Sequence, residues 1–252
     1  MPKDLFSTQA DAYAKYRPTY PQELFDYVLS FVENKYSAWD CATGNGQAAS
    51  ILADYFASVE ATDISEAQLK KASQKTNIHY QLGSAEKPPF ADDSFDLITV
   101  ATAYHWLDIK AFSNEATRVG KNGCVVAAWA YNLFSCDDET INAFIRDFYF
   151  KTVYNYWDKE RRYVEQSYKT IDFAFESLPS KDFEIRKQWD RNDFTGYLFT
   201  WSAVQNFIKQ HGSSPFVLID ERLKSIWPKA GEKKNFSFPL FLRIGRVQKS
   251  NR

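Results

Sequence analysis

Cysteine, histidine and glycine are all scarce in this 252-residue chain, and each scarcity removes a class of explanation. Cys41, Cys124 and Cys136 are odd in number, widely spaced and free of any paired motif, which fits reduced thiols in a cytosol better than a disulfide framework. His79, His105 and His211 are scattered, so no metal site is expected. No charge sign dominates: 31 Lys+Arg stand against 32 Asp+Glu, which leaves no bulk electrostatic drive toward nucleic acid. No segment approaches the roughly 18 apolar residues of a membrane span, and the opening MPKDLFSTQADAYAKY lacks a signal-peptide core. The expectation is a soluble, cytoplasmic protein without a membrane or nucleic-acid partner.

Aromatics, by contrast, make up 17% of the chain and crowd into residues 129–201, which fits either a bulky core or an aromatic-lined pocket. The length suits one large α/β domain. Periodicity predicts a helix over Gln22–Lys35, then strands at Tyr36–Cys41, Val59–Asp63, Ile78–Leu82, Phe95–Ala101 and Gly123–Trp129. Helices fall between them at Gln47–Tyr55, Glu66–Gln74 and Ile109–Val119, with Ser65 and Gln68 forming a capping-box start. Such alternation predicts a doubly wound, mostly parallel sheet with ligands at the carboxyl ends of its strands. Beyond Asn132 the alternation stops. A long helical pattern, Asp137–Trp157, leads through charged and aromatic stretches to a strand at Phe183–Asp190 and a helix over Asn192–Ile208. The closing strand is expected to begin near Leu240, because Pro239 removes a ladder donor. The domain plan is then an N-terminal segment 1–35, a core 36–131, helical lid insertions at 132–182 and 191–235, and closing strands at 183–190 and 240–248.

The chemistry gathers at three strand tips. In AWDCATGNGQAA, a strand ending in Asp40 meets a turn with Gly44 and Gly46, two of only nine glycines, and then a helix start with free backbone amides. Asp63 ends the next strand nineteen positions after Gly44, the interval at which an acid accepts the hydroxyls of a ribose. A nucleoside cofactor meets both demands. NAD is one candidate and an NAD-linked oxidoreductase the alternative activity, but Ala42-x-Gly44-x-Gly46 is an even alternation rather than the dinucleotide fingerprint.

That alternation resembles motif I of the class I S-adenosylmethionine-dependent methyltransferases, whose fold is a Rossmann-like, seven-stranded sheet. The resemblance implies that Asp40, Ala42, Gly44 and Gly46 hold the methionine part of S-adenosylmethionine, and that Asp63, with Ile64 beside it, holds the ribose. GSAEKPPF (Gly83–Phe90) is similar to the adenine segment, so Ser84, Ala85 and Glu86 would surround the base, with Ser84 in place of an aspartate. Ala42 replaces the first glycine, a change tolerable if its φ stays negative. SFDLITVATAYHW (Ser94–Trp106) looks like the fourth strand, carrying Ala101, and the substrate-facing turn. AYAKYRPTYP (Ala12–Pro21) and TAYHWLD (Thr102–Asp108) resemble the small-molecule branch that includes trans-aconitate methyltransferase. By that resemblance Tyr16 and Arg17 cap the cofactor's amino-acid end, and Tyr104, His105 and Trp106 face the transferred methyl.

Each residue also fits a plainer role. His105 is a packed histidine or a catalytic base; Trp129 and Tyr131 are core or pocket wall; Arg161 and Arg162 lie on a solvated face unless one binds an acidic substrate. A carboxylate acceptor, which the resemblance favours, needs no base, only an arginine and an aromatic wall. A hydroxyl or amine acceptor would call on His105. A cofactor-binding protein without transfer activity is a further reading. KPPF (Lys87–Phe90) precedes the fourth strand and lacks the carbonyl acceptor that nucleic-acid base methylation requires there.

Overall fold

The computed structural model describes Ala12 and residues 15–249; the remainder of the opening segment lies outside the described residues. A first helix, α1 (Gln22–Leu29), buries Leu24, Phe25, Val28 and Leu29. It stops short of Lys35, and the Ser30 hydroxyl bonds back to the Tyr27 carbonyl at 2.7 Å where it ends. Then β1 (Ser37–Cys41), α2 (Gln47–Leu52), β2 (Ser58–Asp63), α3 (Glu66–Leu69), β3 (Ile78–Leu82), β4 (Phe95–Ala101), α4 (Ile109–Val119) and β5 (Gly120–Tyr131) alternate as the periodicity predicts. Half of the expected capping box is present: Ser65 accepts from the Gln68 amide, whereas the Ser65 amide donates to Asp63 Oδ1.

The five strands are parallel in the order β3-β2-β1-β4-β5. The chain steps outward from β1 to β3 and then returns to lay β4 on the other side of β1. The crevice between the carboxyl ends of β1 and β4 is therefore the topological switch point, where open α/β sheets bind ligands.

The last strand, β9, runs over Lys234–Arg246 rather than from Leu240, so Pro239 lies inside it. On one side β9 is flanked by β5 and then by the two-residue β6 (Ser135–Cys136); on the other by β8 (Phe183–Trp189) and the two-residue β7 (Glu176–Ser177). Pro239 falls at the gap between β5 and β6. Its carbonyl accepts from the Asn132 amide at 2.9 Å, and its ring nitrogen faces the same gap, so no ladder donor is missed. That gap also frees residues 132–134 to leave the sheet.

Helical segments connect these late strands: α5 (Glu139–Asp147), α6 (Arg161–Glu165), α7 (Arg191–Phe199), α8 (Ser202–His211) and α9 (Asp220–Ile226). Two expected long helices are broken. The first passes from α5 into a π turn over Phe148–Val153 and a 3-10 turn over Tyr154–Tyr156. The second divides at Thr200 and Trp201, both buried. The aromatic crowding resolves into both of the expected uses: Phe144, Phe148 and Phe194 pack in the core, whereas Tyr197 and Trp201 face a cavity over the strand tips.

Candidate active site

Three strand tips are stitched to one another by short bonds. The Thr43 amide donates to the Thr62 carbonyl at 2.9 Å, and the Gly83 amide to the Asp63 carbonyl at 2.9 Å. Across the first of these seams, the Gly44 amide donates to Asp63 Oδ2 at 2.8 Å while the Ser65 amide donates to Asp63 Oδ1 at 2.8 Å. Asp63 thus fixes the loop after β1 and the start of α3 together. A carboxylate has about four acceptor sites, so capacity remains toward the cavity that Asp63 lines.

The two glycines do different work. Gly44 has φ +57°, and a Cβ there would meet nothing within 4 Å, so the bare backbone opens on the cavity. Gly46, at φ +78°, precedes α2, and a Cβ there would lie 2.2 Å from the Tyr80 hydroxyl. Its missing side chain makes room for Tyr80, and it does not line the cavity.

Ala42 lines the cavity at φ +53°, so the negative φ that would excuse its methyl is not adopted. Thr102, at the end of β4, has φ +56°. These left-handed, non-glycine residues cost on the order of 1 kcal/mol or more each and sit at the tips of the two central strands, facing each other across the switch point. Neighbours hold Thr102 there: its amide donates to the Trp129 carbonyl at 2.7 Å, and its Oγ1 lies 2.9 Å from the Tyr20 hydroxyl.

Asp40 is placed beneath the loop, not in the cavity. Its carboxyl is fully buried and takes Thr43 Oγ1 at 2.5 Å, Thr99 Oγ1 at 2.7 Å and the Ala49 amide at 3.1 Å. Burial raises its pKa to about 6 against those three stabilising bonds. Because the folded value exceeds the unfolded one, its contribution to stability is full below about pH 4 and fades as pH rises through 6.

Around the adenine-like segment, Ala85 and Glu86 line the cavity and Ser84 does not. The Ser84 hydroxyl bonds Glu86 Oε2, and Glu86 Oε1 accepts from the Asp108 amide at 3.1 Å. Serine here holds the glutamate in place. Ile64 and Ala101 also line the cavity.

The N-terminal pair separates. Arg17 lines the cavity, donating to the Tyr131 hydroxyl at 2.8 Å and the Thr200 carbonyl at 3.0 Å across the face of Tyr197. Tyr16 instead lies against Gly196 of α7, where any Cβ would collide with its ring.

Of the aromatic candidates, His105 and Trp106 line the cavity. Tyr104 is buried among Phe112, Tyr168 and Phe173, its hydroxyl on the Asp172 carbonyl at 2.8 Å. Trp129 is likewise core, wedged edge-on between Tyr20 and Phe25, while its neighbour Tyr131 reaches the cavity. The two share one face of β5, and Tyr131, at the strand's carboxyl end, is the one that extends to the cavity.

His105 Nδ1 lies 2.8 Å from the Tyr168 hydroxyl, which is buried and has no other acceptor among the described residues. The phenol is therefore the donor, and the histidine hydrogen sits on Nε2. Burial, aided by the nearby Arg161 cation, lowers the His105 pKa to about 3. The ring is neutral and a weak base at neutral pH.

Arg161 lines the cavity, in surroundings that the sequence does not show. Its guanidinium stacks 4.8 Å from the Trp157 ring, and its Nε donates to Tyr149 Oη at 3.1 Å. Trp157, Trp201, Tyr197 and Phe134 continue the wall, each ring within about 6 Å of the next. The aromatic density of 129–201 was the available signal; which rings turn inward depends on the breaks in the helices.

The geometry fits a nucleoside cofactor: a bare backbone turn, a carboxylate at the second tip and an acid beside Ala85 at the third all open on one cavity. Residues 39–128 match the family model described as a methyltransferase domain. A Dictyostelium discoideum protein named as a methyltransferase is 31% identical over 251 residues, spanning 97% of this chain and 95% of its own. Among solved structures, a protein assigned as a type II methyltransferase from Anaeromyxobacter dehalogenans superposes with a TM-score of 0.83 at 33% identity, covering 93% of this chain and all of its own. The YcgJ protein of Bacillus subtilis shares the fold, at a TM-score of 0.53 and 18% identity, over 91% of this chain and all of its own.

Proposed function

The chain belongs to the class I S-adenosylmethionine-dependent methyltransferases, and from that premise we propose that it methylates the carboxylate of a small molecule. S-adenosylmethionine is the cofactor and supplies an already activated sulfonium methyl. In this reading Asp63 accepts from the ribose hydroxyls, Ala85 and Glu86 meet the adenine, and the Gly44 turn lies against the amino-acid tail, whose carboxylate faces Arg17. Residues 132–182 and 191–235 form a lid that excludes water, and the N-terminal segment caps the cofactor through Arg17.

The observation that carries the carboxylate is that the described cavity offers a cation but no competent base. His105 is neutral and weakly basic, as its pKa of about 3 requires. Asp63 holds two amides and Glu86 is held by Ser84 and Asp108. A hydroxyl or amine acceptor needs a proton removed, whereas a carboxylate arrives as the nucleophile and needs only alignment. Arg161 would orient it and the His105 Nε2 hydrogen would steady it. This also agrees with the small-molecule branch that the N-terminal and TAYHWLD motifs resemble.

The test is the pH dependence of kcat/KM in His105→Gln. The variant is expected to run parallel to the parent between pH 5 and 8, at a rate lower by up to about tenfold for the lost hydrogen bond. An acidic limb near 6.5 that disappears in the variant would establish His105 as a base and remove the carboxylate reading.

A further inference from the structure

We propose that the acceptor is a monocarboxylate with a flat apolar body, its carboxylate on Arg161 and its body along the Phe134–Tyr197–Trp201–Trp157 wall. The inference rests on the carboxylate reading above and adds the charge number and shape of the substrate.

Charge number follows from the cations available. Among the described residues lining the cavity, Arg17 and Arg161 are the two that carry a full positive charge. Arg17, tied to Tyr131 and Thr200, lies with the N-terminal segment and is assigned to the cofactor's own carboxylate. Arg161 remains, and no carboxylate of the described residues lies within ion-pair distance of it; its contacts are Tyr149 Oη and two ring faces. A second substrate carboxylate would meet ring faces, uncharged polar groups such as Asn132 and Ser202, or the acids Asp63 and Glu86. One anionic group is matched by a cation and a second is not.

Arg161 is also aimed. The π turn at Phe148–Val153 carries Tyr149, whose hydroxyl accepts from Arg161 Nε and donates to Glu165 Oε1 at 2.5 Å. Fixing Nε from behind leaves the guanidinium's terminal nitrogens for a two-pronged carboxylate contact. Beside it the Trp157 indole N–H is buried without an acceptor, a second donor at the same end of the wall. Tyr149 is thus a positioning residue, acting on substrate through Arg161. Shape follows from the wall itself, four rings whose faces and edges complement a planar π system better than a branched polar one.

The test uses the full chain with methyl-labelled S-adenosylmethionine and matched acids: trans-cinnamate, octanoate, benzylmalonate and propane-1,2,3-tricarboxylate. kcat/KM is expected to be at least tenfold higher for cinnamate than for each of the others. In Tyr149→Phe, KM for cinnamate should rise about tenfold with kcat within twofold and cofactor affinity unchanged, a split that general loss of structure would not give. Preference for the di- or tricarboxylate overturns the charge count, preference for octanoate overturns the planar body, and an unchanged KM in Tyr149→Phe overturns the positioning role. Label in phenols or amines but in no acid overturns the underlying carboxylate reading as well.

Discussion

Asp63→Ala is expected to weaken S-adenosylmethionine binding by at least 100-fold. In the proposed assignment the carboxylate accepts from both ribose hydroxyls, and bonds to a charged acceptor are worth about 1.5–3 kcal/mol each. The same oxygens hold the Gly44 and Ser65 amides, so their loss also loosens the turn that faces the cofactor's tail. Titration calorimetry with S-adenosylmethionine and its demethylated product measures this directly. Asp63→Asn, which keeps the size and one acceptor oxygen, should fall between the two and guards against misreading a folding defect. Affinity within threefold of the parent in Asp63→Ala would remove ribose recognition from this tip.

Arg161→Met is expected to lower kcat/KM for a carboxylate acceptor by about 100- to 1,000-fold, the scale of about 3–4 kcal/mol for truncating one partner of a sequestered charge pair. Methionine retains an apolar stem against Trp157 and Tyr149, so the wall stays filled. Cofactor affinity should remain within twofold, because the lesion is confined to the acceptor's end of the cavity. Steady-state kinetics paired with calorimetry separates the two. An unchanged kcat/KM would return Arg161 to a packing role.

The five parallel strands were legible because each buries both faces or ends at a chemical motif, and β3, β4 and α4 begin and end where periodicity places them. The site was legible where its residues are local to a strand tip: Ala42, Gly44, Asp63, Ile64, Ala85, Glu86 and Ala101 all line one cavity. Spacing could not tell that Gly46 is required by Tyr80, a contact between elements distant in sequence. Nor could it show that Thr102 adopts a strained backbone, since its bonds come from Trp129 and Tyr20. Pro239 argued against a strand by a sound rule, and the exception arises because β5 has already ended. Tyr149, Trp157 and Trp201 were invisible as a group because a π turn and a helix break bring them together.

The carboxylate proposal meets its most direct test in the chemical lability of the transferred label. After turnover with methyl-tritiated S-adenosylmethionine and a monocarboxylate, mild alkali should release the incorporated tritium as volatile methanol, because a methyl ester hydrolyses under conditions that leave ethers and N-methyl groups intact. Incorporated label that stays with the acceptor through alkali would contradict carboxylate methylation and require a base in the cavity.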